Sequence, residues 1–380
     1  MAAHPAIRID SLRKTFADEV VLDHIDLSVT DGEFCVVIGP SGCGKSTLLK
    51  CIAGISDPDG GEIHLRGRDT ESVPTRDRNV GLVFQEFEET LFPHKTVEEN
   101  IEFGLRQQSD TPPAEQIEDR IDEVLDLLAI SHTKSSYPDE LSGGQQQRVE
   151  LARQLVRDCD ITLFDDPLAD LDYKLQKRME IEMRRLHEEL ESTFLYVTHN
   201  QDQALKLADR LIVMNDGEIE QIGTPEEVYT NPANAFVGRF VGDSNLLIGE
   251  VVRRTDDEIR VETPIGELSV ASSGDQPATT VEGAVLVRPE DVVIGEGAAR
   301  CRNSVDVVLE GETYTGEVTE YSVSVSGYDN EIQVVKPGKP DDVGDNNETK
   351  IGFDPDAAKF FEEMSVTGQL QVRDLLEAEQ

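Results

Sequence analysis

The chain has 380 residues, 38% of them hydrophobic, which is enough for two or three domains with cores of their own. Its 77 Asp and Glu against 35 Lys and Arg leave a net charge of −42, which argues against nucleic acid as a ligand because a phosphate backbone needs a basic face. The five cysteines form no C-x-x-C pair, which speaks against a disulfide framework or a zinc site and for a reducing cytosol.

Ile7-Arg8-Ile9 and Val20-Val21-Leu22 alternate apolar and polar side chains and predict an antiparallel sheet at the start. Phe16 lies between them, either as a ring free to stack on a base or as a half-buried strand residue. The apolar run Phe34-Cys35-Val36-Val37-Ile38 then enters Gly39-Pro40-Ser41-Gly42-Cys43-Gly44-Lys45-Ser46-Thr47 and continues as Leu48-Leu49-Lys50-Cys51-Ile52-Ala53. Strand, glycine-rich turn and helix in that order make a phosphate-binding loop. Its glycines let backbone N–H groups close around a polyphosphate, and the helix start adds further donors. Lys45 is placed for the β- and γ-phosphates, and the Ser46 hydroxyl for Mg²⁺. The chain is therefore expected to bind a nucleoside triphosphate. Cys43, beside a helix start, is expected to favour its thiolate.

Gly60 to Gly67 reads as a turn and short strand, and Asn79 to Gln85 as a second buried strand. Gln85 at its end can ligate Mg²⁺ or hold an attacking water. From about residue 86 to 160 the pattern is helical, with Ile117, Ile121, Val124, Leu125 and Leu128 on one face after Pro112-Pro113. Leu141 leads into Ser142-Gly143-Gly144-Gln145, where an N-cap and flexible glycines open another helix. That is a second phosphate-binding surface, which one nucleotide site does not need. Ile161 to Asp166 is an apolar strand ending in two carboxylates, Asp165 for hydrated Mg²⁺ and Asp166 to orient or activate water. Asp170 follows, then a helix from about Lys174 to Glu191 and the strand Thr193 to Val197, which ends in Thr198-His199. Of the seven histidines, His199 alone closes a strand in line with the others. Leu211 to Ile219 reads as strand, turn, strand, and Thr224 to Asn231 as a capped helix. Beyond Leu246, short alternating segments (Glu250 to Val252, Ile259 to Val261, Ala284 to Val287, Tyr321 to Val325) predict a small β-barrel or paired barrels, with a solvated loop from Pro337 to Thr349.

The P-loop, Gln85, Leu141 to Gln145, Asp165-Asp166, Asp170 and His199, in this order, resemble the ATP-binding subunits of ABC transporters. The stretch from Asn231 to Val237 and the run Val287-Arg288-Pro289-Glu290-Asp291 are similar to the C-terminal transport-associated OB-type region of the maltose, polyamine, ferric-iron and sulfate importer ATPases. The resemblance implies an α/β P-loop ATPase over residues 1–240, with an N-terminal antiparallel β subdomain and an inserted helical subdomain at about 86–160. An all-β OB-like domain over 241–380 follows. It implies ATP and Mg²⁺ as ligands, with Ser46, Gln85 and Asp165 at the metal and Asp166, His199 and Gln85 at the hydrolysed bond. Phe16 becomes the adenine-stacking ring. Two chains would close head-to-tail, each offering Ser142, Gly143, Gly144 and Gln145 to its partner's ATP, with Asp170 communicating between them.

The groove at Leu91-Phe92-Pro93-His94 would receive a membrane permease fed by an extracellular binding protein. That places the chain on the cytoplasmic face of the membrane, held by its partner, since no run approaches the ~18 apolar residues of a span and the start shows no signal pattern. Polyamine and ferric iron lead as substrates, with sugar or an oxyanion behind. A soluble ABC protein of repair, translation or signalling type is the alternative. Two departures stand out: Glu86 to Thr90 lengthens the approach to the groove, and Asp166 stands where the family has glutamate. Acidic residues spread through patterned segments further suggest adaptation to molar salt, where the Debye length falls to ~3 Å and self-repulsion is screened.

Overall fold

The computed structural model describes residues 5–17, 19–83, 91–106, 113–157, 159–169, 171–190, 192–272, 282–340, 347–362 and 364. Gln85, Asp170 and the segment from Glu86 to Thr90 lie outside the described residues. The chain divides into two compact units, Met1–Glu226 and Glu227–Gln380.

In the first unit, β1 (Ile7–Phe16), β2 (Glu19–Val29), β4 (Gly60–Leu65) and β5 (Arg68–Asp69) form an antiparallel sheet in the order β2-β1-β4-β5. A second sheet has the order β10-β9-β3-β8-β7-β6, from β3 (Phe34–Ile38), β6 (Val80–Val83), β7 (Ile161–Asp165), β8 (Thr193–Val197), β9 (Arg210–Asn215) and β10 (Glu218–Gly223). All its pairings are parallel except that of edge strand β10 with β9. Every residue of β3, β7 and β8 is buried, which is why those strands read as unbroken apolar runs rather than alternating ones.

Alternate residues of these strands serve two different layers. Cys35, Val37, Leu163 and Leu195 join a core with Leu12, Leu22 and Ile25 of the antiparallel sheet and Leu48, Leu49 and Ile52 of α1 (Lys45–Ala53). The helix that follows the P-loop is thus packed in the main core. Phe34, Phe164, Phe194 and Tyr196 build an aromatic layer, which His187 of α5 (Tyr173–Leu190) enters at 5.2 Å from Phe34 and 5.1 Å from Phe194. Between β6 and β7 the described chain is helical: α2 (Val97–Arg106), α3 (Ala114–Leu127) and α4 (Gly143–Leu155). Ile117, Ile121, Leu125 and Leu128 are buried on one face, as their spacing predicts.

In the second unit, β11 (Asn245–Arg254), β12 (Glu258–Thr263), β13 (Gly266–Ala271), β14 (Glu282–Val287) and β20 (Ala358–Phe361) form one antiparallel sheet. β15 (Val293–Ile294), β16 (Asn303–Tyr314), β17 (Val318–Ser324), β18 (Ile332–Pro337) and β19 (Glu348–Phe353) form another. Val251, Val261, Val285 and Val287 of the first share a core with Tyr321, Val323, Val334 and Ile351 of the second. The alternation read beyond Leu246 therefore belongs to one packed β unit.

The units meet at Glu226–Glu227, earlier than the expected boundary at 240–241. The reason is Arg288, which is buried and donates to the carbonyls of Tyr229 (3.1 Å), Gly238 (2.8 Å) and Asp243 (3.0 Å). Its guanidinium also lies 4.2 Å from the centroid of the Tyr229 ring. One side chain at the end of β14 thus gathers the connecting stretch, including the helix Ala235–Phe240, into the β unit.

Candidate nucleotide and catalytic site

Three parallel strands deliver their C-terminal ends to one crevice, because β8 lies between β3 and β7. β3 carries the glycine-rich loop, β7 carries Asp165-Asp166 and β8 carries Thr198-His199. The loop ends are tied together by backbone: Thr198 N–H donates to the Val37 carbonyl (3.2 Å) and Asp166 N–H to the Val197 carbonyl (2.8 Å).

The loop's glycines are sterically required. A Cβ on Gly39 would lie 2.2 Å from the Met214 carbonyl oxygen and 2.7 Å from Cys43 Sγ. Gly44 caps α1 at φ +101, and a Cβ there would lie 2.6 Å from the Val21 oxygen. The Lys45 ammonium is held at the loop by the carbonyls of Gly39 (2.7 Å) and Pro40 (2.8 Å), and lies 3.8 Å from Cys43 Sγ. Ser41 and Gly42 are exposed, while Ser46 and Thr47 are half-buried on the first turn of α1. Cys43 corrects the sequence expectation. The thiol is buried, and that burial pushes its pKa up even though the Lys45 charge beside it pulls the other way. It is a protonated thiol at neutral pH rather than a poised thiolate.

The Ser46 hydroxyl donates to Asp165 Oδ1 at 2.8 Å, across the gap between α1 and β7. Asp165 is buried, and desolvation raises its carboxyl above the usual range. A hydroxyl and a buried carboxylate are hard oxygen donors suited to Mg²⁺, which also keeps waters and phosphate oxygens as ligands. Among the described residues no group of three or more His, Cys, Asp or Glu could hold a metal without such help. The residues present fit a magnesium–nucleotide complex.

Asp166 adopts φ +45, a left-handed conformation rare outside glycine and less costly for Asp and Asn than for other side chains. Only 6% of it is exposed. Its Oδ1 accepts from the Thr198 hydroxyl at 3.1 Å, and its Oδ2 pairs with His199 Nδ1. Thr198 is held in turn near Gln203 Oε1 (3.4 Å), which accepts from the buried Tyr196 hydroxyl (3.2 Å). The carboxylate is thus fixed at both oxygens, while His199 faces solvent. Phe16, at the end of β1, is 51% exposed, with the Lys14 ammonium 5.3 Å from its ring centroid. Of its two readings, the structure takes the exposed ring.

Ser142 is the N-cap of α4, and Gln145 Oε1 accepts from both its backbone N–H (2.9 Å) and its hydroxyl (3.1 Å). Ser142 and Gly143 are exposed, and a Cβ on Gly144 would meet nothing within 4 Å. This helix start is an open surface on the helical part of the unit. Leu91 is buried, whereas Pro93 and His94 are exposed.

Two residues that sequence reasoning missed hold this machinery. Asn100 is wholly buried on α2; its Oδ1 accepts from Phe92 N–H (2.8 Å), and its amide donates to the carbonyls of Phe92 (3.2 Å), Lys95 (3.1 Å) and Thr96 (2.9 Å). Its signal was an amide at a helix position whose neighbours Val97, Ile101 and Leu105 are core. Arg78 donates to the carbonyls of Cys51 (3.1 Å) and Ile52 (2.9 Å), capping the C-terminal end of the P-loop helix, and burial lowers its pKa. Nothing in its neighbourhood in sequence marks that role.

Comparison with known proteins follows the same division. The ABC transporter family matches residues 22–169 and the TOBE domain matches residues 285–361. The spermidine/putrescine import ATP-binding protein PotA of Thermobifida fusca is 40% identical over 330 residues, covering 84% of each chain. The protein of the same name from Vibrio parahaemolyticus is 43% identical over 296 residues, 78% of this chain and 77% of that one. Among solved structures, a dimeric ATP-binding cassette in a post-hydrolysis state with ADP and Pi superposes with a TM-score of 0.54 at 31% identity. It covers 58% of this chain and 98% of that one.

Proposed function

Because this chain belongs to the ABC transporter family of ATP-binding proteins, we propose that it hydrolyses ATP to power polyamine import through a separate permease. The observation that carries the reading is the convergence of Lys45, the Ser46–Asp165 pair and the Asp166–His199 pair at the C-terminal ends of adjacent parallel strands, in a chain 40% identical to a spermidine/putrescine import ATP-binding protein.

Each residue then has a task. Phe16 stacks on the adenine, the backbone donors of Gly39 to Thr47 cradle the phosphates, and Lys45 exchanges its loop carbonyls for phosphate oxygens. Ser46 and Asp165 hold Mg²⁺, which when bound neutralises charge on the transferred phosphoryl group. Asp166 orients the attacking water and takes its proton, with His199 beside it at the γ-phosphate end. Gln85 at the metal and Asp170 at the dimer contact rest on the family resemblance.

The open surface Ser142 to Gln145 has no task in its own chain's crevice. It serves the ATP of a second copy in a head-to-tail dimer, a reading supported by the dimeric ATP-binding cassette that this chain resembles. The segment Leu91 to His94, with its exposed tip, is the surface offered to the permease. No helix among the described residues is long and apolar enough to cross a membrane. The chain would be held at the cytoplasmic face by the permease, which draws on an extracellular binding protein. The net charge of −42 favours a molar-salt cytoplasm.

Uptake of labelled spermidine, putrescine, ferric iron, maltose and sulfate by cells lacking this chain tests the substrate. Loss of polyamine uptake alone, restored by the parent chain but not by Lys45→Ala, is the expected result. Loss of iron, sugar or sulfate uptake with polyamine uptake intact would overturn the substrate assignment.

A further inference from the structure

Outside the nucleotide crevice the chain carries a buried ion pair that ATP hydrolysis does not use. Glu150 on α4 is 1% exposed, and its carboxylate pairs with the Arg153 guanidinium at 2.6 Å. The Gln154 amide donates to the same carboxylate at 3.3 Å. In sequence, Glu150 and Arg153 look like an ordinary surface pair one helical turn apart. Glu150 is buried and Arg153 half-buried, so the pair is largely withdrawn from solvent, where removing one partner is strongly unfavourable.

Arg153 also reaches beyond its own helix. Its guanidinium lies 5.8 Å from the centroid of the Phe92 ring, in the segment Leu91 to His94. Phe92 is also held from α2. Its ring meets Phe103 edge-on at 4.6 Å, and its backbone N–H and carbonyl both bond to the Asn100 side chain. The two helices interlock where a Cβ on Gly104 would lie 2.9 Å from the Arg153 carbonyl oxygen. Phe92 is therefore held by backbone and ring from α2, and its ring is also approached from α4 by Arg153. The other end of α4 is Ser142 to Gln145.

We propose that Glu150 and Arg153 are positioning residues that tie the Leu91–His94 segment to the Ser142–Gln145 end of α4, so that nucleotide engaged at one end displaces the other. Glu150 holds the Arg153 guanidinium, and the guanidinium over the Phe92 ring holds the ring. A lysine keeps the charge but presents no flat face to stack. What the displacement does to a permease rests on the reading of Leu91–His94 given above; the tie itself does not.

The chain has no tryptophan, so a single His94→Trp substitution is a background-free reporter. His94 is exposed, and its ring lies 6.1 Å from that of Phe92. The probe is the magnesium complex of a non-hydrolysable ATP analogue, added to the full-length reporter chain without permease. We expect a saturable change in tryptophan emission in the otherwise unaltered chain. With Glu150→Gln or Arg153→Lys added, the change at saturation should be largely lost. Analogue affinity should stay within about 2-fold, since none of the contacts described for either residue reaches Gly39 to Thr47. Arg153→Lys preserves both charges, so it reports on the ring contact even where Glu150→Gln lowers stability. An undiminished response in both variants overturns the proposal, as does a reporter silent to saturating analogue. Because no permease is present, the result is separate from a permease-binding assay with Phe92→Ala, which tests the docking reading.

Discussion

Replacing Asp166 separates chemistry from binding more cleanly than any other substitution in this crevice. Its carboxylate is fixed at one oxygen by Thr198 at 3.1 Å and at the other by His199, on a backbone at φ +45. Asparagine has the same shape and tolerates positive φ as well as aspartate does, so Asp166→Asn removes charge and basicity without disturbing the turn. None of the hydrogen bonds of Asp166 reaches Gly39 to Thr47, so ATP should bind as before. A positioned general base contributes about 10² to 10⁴ in rate, and we expect Asp166→Asn to lose at least ~10²-fold, about 3 kcal/mol of barrier. Asp166→Glu extends the carboxylate by one methylene, roughly 1.5 Å, which carries it out of reach of Thr198 but further into the crevice. We expect that variant to hydrolyse as fast as the parent or faster, since the longer side chain reaches further toward the water. The assay is single-turnover ATP hydrolysis by the three proteins, with nucleotide retention and melting temperature measured in parallel. Hydrolysis by Asp166→Asn at the parent rate, with ATP bound, would refute the assignment of Asp166 as the base.

Three further expectations follow from charge and burial. Melting temperature and ATPase rate should rise from 0.1 M toward molar KCl; a maximum near 0.1 M, where the Debye length is still ~10 Å, counts against salt adaptation. Cys43 should react slowly with alkylating agents at pH 7 and faster as pH rises, because burial lifts its pKa; its alkylation should block ATP binding and be prevented by Mg-ATP. Rapid labelling at neutral pH, or a labelled chain that still binds ATP, would contradict this. His187 is held neutral by burial in the aromatic layer, with its pKa lowered from the usual 6.5. The unfolded chain therefore takes up the proton first as pH falls, so stability is complete above pH 6.5 and declines below it toward the lower folded pKa. Urea midpoints at pH 7.5 and 5.5 should differ more for the parent than for His187→Phe; an equal difference removes His187 as the cause.

What was legible in this sequence was local. Gly39 to Thr47 could be read because a phosphate loop needs particular backbone freedom at particular positions, and that freedom is written in residue types. The strand ends at Asp165-Asp166 and Thr198-His199 could be read because buried parallel strands leave unbroken apolar runs that stop where the crevice begins. Features fixed by neighbours distant in sequence were hidden. The helix-start rule makes Cys43 reactive, but the fold buries its thiol, and burial reverses the sign. The resemblance sets the boundary at 240–241, yet Arg288 holds the stretch from Tyr229 to Asp243 in the β unit from beyond four intervening strands.

Asp166 shows why such hidden geometry matters for function. As a letter, it is a glutamate one methylene short, which suggests a base too far from its water. In the folded chain the backbone turns left-handed at that residue, and Thr198 and His199 take up both oxygens. A longer, more flexible side chain has one more rotatable bond to fix, so the short one gains fixed orientation where it loses reach. Orientation and reach enter the rate separately: the first sets how often the water is aligned, the second how completely its proton is taken. If Asp166 is the base, single-turnover hydrolysis by the parent should be slow, and Asp166→Glu should match or exceed it; a slower Asp166→Glu would show that fixed orientation outweighs reach.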